Sequence, residues 1–387
     1  MKQVILHYGE IALKNRNRSL FEQTLRKRIE RICLKTAPCR VHRLEGRLLL
    51  DFAVTPDMEV LTNSLSKICG LSNFIFCDTA GPTLEKLKQG IEMRLADITF
   101  SSFAVRAKRG QKTFPLSSQF INEEIGRFVK EKTGAKVDLE TPETTIYIEL
   151  FEDKIFYGFK KVKGVGGLPV GIAGKVLGLL SGGIDSPVAC FRMMKRGCEM
   201  VFIHFYSAPF TSPQSLDKVL ELAEALGEYQ DGGRLISVPF GEIQKEIIAK
   251  TPENYRVLLY RRMMLRIAEK MAKEHGCLAL ATGESLSQVA SQTLSNLTSI
   301  EQAIALPVLR PLIGMDKSEI IDEAKKIGTF NISIQPHEDC CSFMMPKHPK
   351  TRSMPQELEA LEKDLEIDAL VQKGVKESRI FDVSLRA

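Results

Sequence analysis

Leu177-Gly178-Leu179-Leu180-Ser181-Gly182-Gly183-Ile184-Asp185-Ser186-Pro187-Val188-Ala189 reads as a short buried strand, a small-residue loop and a helix. Pro187 falls near the first turn of that helix, where a missing N–H costs nothing. Ser181, Gly182 and Gly183 leave backbone N–H groups bare enough to wrap a phosphate, and the helix behind them adds the positive end of its dipole. Asp185 sets a carboxylate beside that nest. This suits a phosphate that carries Mg²⁺ better than a bare one. No Gly-Lys-Ser/Thr follows, so the pattern is not the Walker loop. The full Ser181–Ser186 string between a strand and a helix is far more specific than a lone glycine pair.

Toward the C-terminus, strand-like and helix-like stretches alternate. Val176–Leu180 leads into a helix to Arg196, Met200–Phe205 into Pro213–Leu226, and Leu235–Val238 into two helical stretches. The longer of these, Asn254–His275, precedes a strand at Cys277–Ala281. That order predicts a doubly wound α/β domain, a parallel sheet with right-handed crossovers. Ligands of such sheets sit outside the carboxyl ends of the strands. Ser181–Ser186, His204-Phe205 and Gly283-Glu284 are therefore expected to face one crevice. A charged helix is expected over Glu357–Gln372.

Toward the N-terminus, residues 164–174 are Gly-rich and nearly uncharged, the clearest linker in the chain. Residues 1–55 read as strand, helix, strand, with Ser19 as helix cap, Glu22 completing a capping box, and Phe21, Leu25, Ile29, Ile32 and Cys33 at helical spacing. In the loop before that helix Lys14, Arg16 and Arg18 alternate with Asn, an arrangement able to contact phosphates or simply to be solvated. Residues 56–163 form a second α+β block, with helices over Pro56–Cys69, Thr83–Leu95 and Ser117–Lys132. A strand at Ser102–Arg109 runs into a basic patch holding Lys108, Arg109 and Lys112, and Thr144–Glu149 with Lys154–Phe159 reads as a hairpin. Basic residues interleaved with Phe and Val suit nucleic-acid binding, although no stacking-aromatic motif accompanies them.

The bulk properties narrow the class. Among 387 residues, 44% hydrophobic content is ample for packed cores, and no apolar run is long enough to span a membrane. Met1-Lys2-Gln3 leads straight into Val4-Ile5-Leu6 without a signal-peptide pattern. Nine scattered cysteines do not form a secreted disulfide framework, so a reducing cytoplasm is expected. The net charge of +6 is carried by residues 1–174, the remainder being slightly acidic. Such asymmetry suggests a polyanion held by one part and chemistry done by the other.

Ser181-Gly182-Gly183-Ile184-Asp185-Ser186 resembles the SGGxDS loop of the ATP pyrophosphatases, which bind ATP and release pyrophosphate by adenylating a substrate. The whole chain resembles the tRNA 4-thiouridine synthetase family, a sulfurtransferase family also tied to thiamine thiazole synthesis. Tyr8-Gly9-Glu10-Ile11-Ala12-Leu13-Lys14 with Asn17-Arg18 is similar to its ferredoxin-like signature, and the 56–163 block to a THUMP RNA-binding module. Leu179–Pro187 is similar to the family's pyrophosphatase loop. Glu338-Asp339-Cys340-Cys341-Ser342, followed by Lys347-His348-Pro349-Lys350-Thr351, resembles its catalytic-cysteine segment.

The resemblance implies a ferredoxin-like domain at 1–55, a THUMP domain at 56–163, the 164–174 linker and an ATP-pyrophosphatase domain at 175–387. It implies ATP contacts at Leu179, Leu180, His204, Phe205, Arg261, Gly283 and Gln292, beside the loop residues Ser181, Gly182, Gly183, Asp185 and Ser186, and an adenylation role for Lys317. Uridine at position eight of tRNA would be adenylated at O4 and then attacked by a cysteine persulfide. The Asp-Cys-Cys alignment favours Cys341 as sulfur carrier, with Cys340 as resolving thiol or bystander; zinc on this pair lacks a ligand set of regular spacing. Many relatives end in a rhodanese domain, whereas this chain stops at Ala387. Sulfur is thus expected from a cysteine desulfurase, another carrier or free sulfide, and the thiazole role tied to that domain is left unassigned. Dimers are common in the family. Two rival readings are a small-molecule adenylating synthetase of the same loop class and a non-catalytic RNA-binding protein. The first has no use for a basic front half, and the intact loop with its cysteine pair argues against the second.

Overall fold

The structure is a computed structural model and describes residues 3–207, 214–336 and 348–384. The chain divides into two compact units, Met1–Pro169 and Val170–Ala387.

The first unit is built on one sheet. Its strands are β1 (Gln3–His7), β2 (Cys39–Leu44), β3 (Arg47–Phe52), β4 (Asn73–Ala80), β5 (Ser102–Arg109), β6 (Lys136–Val137), β7 (Thr144–Leu150) and β8 (Ile155–Lys163). They lie in the order β2-β3-β1-β4-β8-β7-β5-β6. Pairing is antiparallel except at β5, which runs parallel to β6 and β7. β4 pairs with β1 on one side and β8 on the other, so the sheet runs unbroken from the first strand to the last.

Four helices cover this sheet: α1 (Arg18–Cys33), α2 (Met58–Ser66), α3 (Leu84–Leu95) and α4 (Ser118–Thr133). α4 follows its sequence signals closely. Ser117 accepts from Phe120 N at its start, and Gly134, at φ 70°, ends it. Ile121, Ile125 and Val129, spaced by one turn, are buried against Val105, Ile146 and Ile148 of the sheet, each worth roughly 1.5–3 kcal/mol.

α1 departs from expectation. It begins at Arg18, Asn17 makes no side-chain cap, and Ser19 is already inside the helix. Glu22, 4% exposed, is drawn instead into a buried cluster. It accepts from Tyr8 OH and from Arg18 Nε at 2.7 Å, and its second oxygen lies 2.7 Å from Arg43 Nε. A charge-assisted hydrogen bond from Arg18 and an ion pair with Arg43 outweigh a solvent-exposed cap, which contributes only about 1 kcal/mol.

The Gly-rich stretch is bonded into both units rather than hanging free. Gly164 N donates to Ser72 O and Gly166 N to Leu71 O in the first unit, while Gly171 N and Ala173 N donate to Gly197 O in the second. A Cβ on Gly164 would lie 2.4 Å from Leu71 O, which explains a glycine there.

The second unit has strands β9 (Lys175–Leu179), β10 (Glu199–Tyr206), β11 (Gly233–Pro239), β12 (Ala279–Ala281), β13 (Val308–Leu309) and β14 (Arg379–Val383), ordered β13-β12-β9-β10-β11-β14. The first five are parallel. β14, which the sequence reading did not anticipate, adds an antiparallel edge on β11. The helices are α5 (Asp185–Lys195), α6 (Gln214–Gly227), α7 (Gly241–Lys250), α8 (Arg256–Glu274), α9 (Leu294–Glu301), α10 (Lys317–Lys326), α11 (Phe330–Ser333), α12 (Pro355–Glu362) and α13 (Ile367–Lys376).

α7, α8, α9 and α12 contribute Ile243, Tyr260, Ile267, Ile300 and Leu358 to a core with Ile203, Phe205 and Val238 of the strands. α5 and α6 pack against β9, β10 and β11. The single helix expected over Glu357–Gln372 is two helices, α12 and α13. The turn between them lets α13 lie on α8, where Gly374 comes so close that a Cβ would meet Ile267 Cδ1 at 2.7 Å. β9 stands between β10 and β12, so its two neighbours are reached by connections leaving in opposite directions. That is the switch point at which such sheets open a crevice.

Candidate active site

The loop after β9 is braced from within. Ser186 Oγ accepts from Ser181 N at 2.9 Å and lies 3.0 Å from Ser181 Oγ, which accepts from Gly183 N at 3.3 Å. α5 starts at Asp185, so its N-terminal end faces the loop and Pro187 occupies the third helical position, inside the first turn. Gly283, at the end of β12, approaches this turn closely. A Cβ there would stand 2.7 Å from Ser186 N and 2.8 Å from Ser186 Cα, so any side chain would push on the loop.

A cavity of about 390 Å³ opens here, within the size range of a ligand pocket. Of the residues singled out for ATP, Leu179, Leu180, Ser181, Gly183, Asp185, Ser186, His204, Phe205, Arg261, Gly283 and Gln292 line it. Gly182 and Lys317 do not. His204 donates from Nδ1 to Leu180 O at 3.0 Å, tying β10 to the root of the loop. Gln292 sits in a short helical turn, Ala290–Gln292, and its buried Oε1 has no hydrogen-bond partner among the described residues. An unpaired acceptor on a residue that lines the cavity suits the amino group of a base.

Arg261 is held from behind. Its Nη1 donates to Glu284 Oε1 at 2.5 Å, while Glu284 Oε2 accepts from Arg310 Nε at 2.7 Å and Thr282 Oγ1 at 2.8 Å. Arg310 in turn reaches Glu301 at 2.5 Å. Burial opposes the charge on Glu284, but Arg261 and Arg310 outweigh it and hold the carboxyl below its ordinary range. Glu284 was legible in the sequence only as a strand-end residue. Arg310 and Asn254, which also line the cavity, were not singled out as site residues, and Lys350 was noted only within the segment that follows the cysteine pair.

Lys317 opens α10, where Asp316 and Glu319 form a full capping box. The same short segment is thus both a helix start and the source of a cation, because Lys317 Nζ donates to Asp185 Oδ1 at 2.5 Å. Gln288 Nε2 donates to Asp185 Oδ2 at 3.3 Å. Among the described residues no group of three or more His, Cys, Asp or Glu is arranged to hold a metal ion. A single carboxylate at the loop fits only a cation that arrives on a polyphosphate.

Cys340 and Cys341 lie outside the described residues. Of the other seven cysteines, six are buried and Cys39 is half-buried. Burial pushes the Cys190 thiol up to about 12 and that of Cys277 to about 11, and raises Cys198 and Cys77 as well. Such thiols stay protonated near neutral pH and are poor nucleophiles. Cys39 differs: the Cys33 thiol donates to it and lowers its value.

In the first unit, Arg16, Lys108, Arg109 and Lys112 are exposed, and Lys14 is half-buried with its ammonium over the Phe21 ring. Arg18 is engaged with Glu22 and Tyr8 OH. Lys108 and Arg106 crowd Lys161 on the sheet; burial and these neighbours lower its pKa, and its ammonium lies over Tyr147.

Loop, cavity and sheet order define an α/β domain of the pyrophosphate-loop class. Its family model, described as Thiamine biosynthesis protein (ThiI), matches residues 171–367. The ThiI ferredoxin-like domain matches residues 3–74 and the THUMP domain residues 83–157. A protein of Moorella thermoacetica named probable tRNA sulfurtransferase is 40% identical, with 99% of this chain and 98% of that protein covered. A protein of the same name from Thermus thermophilus is 43% identical, over 97% and 92% of the two chains. A solved structure described as a 4-thiouridine synthetase–RNA complex with bound ATP is 37% identical, covers 99% of this chain and 100% of its own, and matches with a TM-score of 0.87. The chain belongs to the tRNA sulfurtransferase (ThiI) family.

Proposed function

We propose that this protein is an ATP-dependent tRNA sulfurtransferase that converts uridine at position eight to 4-thiouridine. The observation that carries the reading is the full-length similarity to a 4-thiouridine synthetase whose structure holds RNA and ATP, joined to an intact loop and cavity in this chain. The reading divides the chain into a ferredoxin-like part (1–55), a THUMP part (56–163) and an adenylating part (175–387), with RNA held by the basic first two.

Oxide is a poor leaving group, so sulfur cannot displace O4 of uridine directly. In this reading O4 attacks the α-phosphorus of ATP, the bond to the β-phosphate breaks, and pyrophosphate leaves into the Ser181–Ser186 nest. Lys317 neutralises charge on the phosphates, and Arg261 and Gln292 orient the nucleotide. Asp185 would hold Mg²⁺ carried by the nucleotide, which supplies further charge neutralisation when bound. The terminal sulfur of a Cys341 persulfide then forms a bond to C4 as AMP departs. Attack by Cys340 or an external thiol on the inner sulfur breaks the S–S bond, leaves sulfur on C4 and forms a disulfide. A thiol reductant returns that disulfide to free thiols, and a cysteine desulfurase or another donor of sulfane sulfur then replenishes the persulfide. The working form is a homodimer in the cytoplasm.

The test is nucleoside mass spectrometry of tRNA from cells lacking the gene, before and after its return. Loss and restoration of 4-thiouridine support the reading, and unchanged 4-thiouridine refutes it. If pyrophosphate release from ATP does not depend on tRNA, the acceptor is a small molecule instead.

A further inference from the structure

The loop between β12 and α9 meets the site at three points. Gly283 presses on the phosphate loop at its start, and Gln292 lines the cavity near its end. Between them residues 286–289 form an exposed tip. From that tip Gln288 Nε2 donates to Asp185 Oδ2 at 3.3 Å, while Lys317 Nζ donates to the other oxygen, Oδ1.

The tip is tied down on two sides. Ser285 Oγ donates to Met315 O at 2.7 Å and Leu286 N to Ile313 O at 3.0 Å, which pins it to the segment leading into Lys317. Ser287 N donates to Gln292 O at 2.9 Å and Gln288 N to Ser285 O at 3.3 Å, which closes the loop on itself. Ser287 stands at φ 61°, in the left-handed region that residues with a side chain enter only at a cost. Such conformations persist where the surroundings over-determine them, and they gather at sites where a group must be placed. The group placed here is the carboxamide of the next residue, Gln288.

The two donors to Asp185 differ in charge. An ammonium is drawn to nucleotide phosphates, and Lys317 lets go of the carboxylate when it turns to them. A carboxamide carries no charge to trade, so Gln288 stays. It holds Oδ2 without cancelling the negative charge of Asp185, as a second lysine would. We propose that Gln288 is a positioning residue for adenylation: it fixes Asp185 by one oxygen, so that the oxygen vacated by Lys317 faces the nucleotide phosphates. The claim rests on the reading of the site as an adenylating centre. Gln288 itself touches neither the nucleotide nor the acceptor.

The test is a double-mutant cycle on tRNA-dependent pyrophosphate release by the full-length protein, with ATP affinity titrated in the absence of tRNA and melting curves recorded for the same four proteins. Gln288→Met keeps the length of the side chain and removes the donor. It is expected to lower kcat about 10-fold, the effect of losing a hydrogen bond to a charged group. KM for ATP, the titrated affinity and the melting midpoint should stay nearly unchanged. In the Asp185→Ala background the same substitution should have no further effect, because the carboxylate it positions is gone. Equal losses in both backgrounds overturn the proposal, since Gln288 would then act independently of Asp185. A weakened ATP affinity in Gln288→Met overturns it too, by making Gln288 a nucleotide ligand. If Asp185→Ala alone releases pyrophosphate at the parental rate, the adenylating role of Asp185 is what fails. If Asp185→Ala is slow and Gln288→Met is not, the positioning claim alone is refuted.

Discussion

Lys317 Nζ lies 2.5 Å from Asp185 Oδ1, a cation at the first turn of one helix set against a carboxylate at the first turn of another. The side chains are 44% and 24% exposed, so the pair contributes less than about 1 kcal/mol to stability. A contact this weak is easily traded for nucleotide phosphates and the cation they carry. Lys317→Met and Asp185→Asn are therefore expected to leave the thermal midpoint nearly unchanged while slowing tRNA-dependent pyrophosphate release by about 10²-fold. Unchanged release in Asp185→Asn would remove that residue from the mechanism.

Cys341→Ser is expected to abolish 4-thiouridine formation while ATP-dependent adenylation persists. Among the described residues of the second unit, Cys190, Cys198 and Cys277 offer no substitute, because they are buried with raised pKa values. Pyrophosphate release and thiolated nucleoside are measured on the same reaction. Loss of both would assign the residue a different role.

Basic residues of the first unit should separate by what holds them. Lys108→Ala and Lys112→Ala, at exposed sites, are each expected to weaken RNA binding with little effect on folding and to reduce the log–log salt slope by about 0.7 to 0.9. Arg18→Ala should also lower the thermal midpoint, because it strips a donor from buried Glu22 and from Tyr8. Binding titrations at several salt concentrations, paired with melting curves, check both statements. A salt slope unmoved by either lysine variant would place the RNA elsewhere.

The second unit should be sensitive to acid. Glu362 is buried; burial opposes its charge, but Arg266 and Arg262 hold its carboxyl below the ordinary range, as Arg261 and Arg310 do for Glu284. A depressed carboxylate contributes stability that is fully present above its unfolded value, about 4.3, and is lost as pH falls through the lower folded value. The melting midpoint is expected to hold from neutral pH down to about 5 and to fall below about 4. Glu362→Gln should shallow that fall. Glu362→Ala should cost about 3–5 kcal/mol at neutral pH, since Arg262 is 1% exposed and would be left uncompensated. Parallel acid profiles for the parent and Glu362→Gln would count against this account.

The loop, the parallel sheet and the strand-end pair His204-Phe205 were legible because each depends on local sequence or on a topological rule. A phosphate nest needs successive small residues, and a doubly wound sheet puts its ligand at known strand ends. The support behind Arg261 was not legible. Glu284, Arg310 and Glu301 come from three separate elements, and nothing in their spacing reveals that one buried carboxylate organises them. Ser19 shows the converse failure: a sound capping signal was overridden because Glu22 had a better use in the interior. The split of α12 from α13 escaped notice because no Gly or Pro marks it, and β14 because its partner β11 lies far back in the sequence.

The unbroken sheet of the first unit has a consequence for how such proteins can be recombined. β4 is flanked by β1 from the beginning of the chain and by β8 from the end of the THUMP region, through backbone bonds in fixed register. A chimera that exchanges the first seventy or so residues between relatives must preserve that register residue by residue. A slip of one position would turn every inward side chain of β1 to the wrong face. Deleting the segment would bare an apolar edge along Phe74, Ile75 and Phe76, an invitation to aggregate. The two modules are separate as family models, yet in this chain they share one hydrogen-bonded sheet.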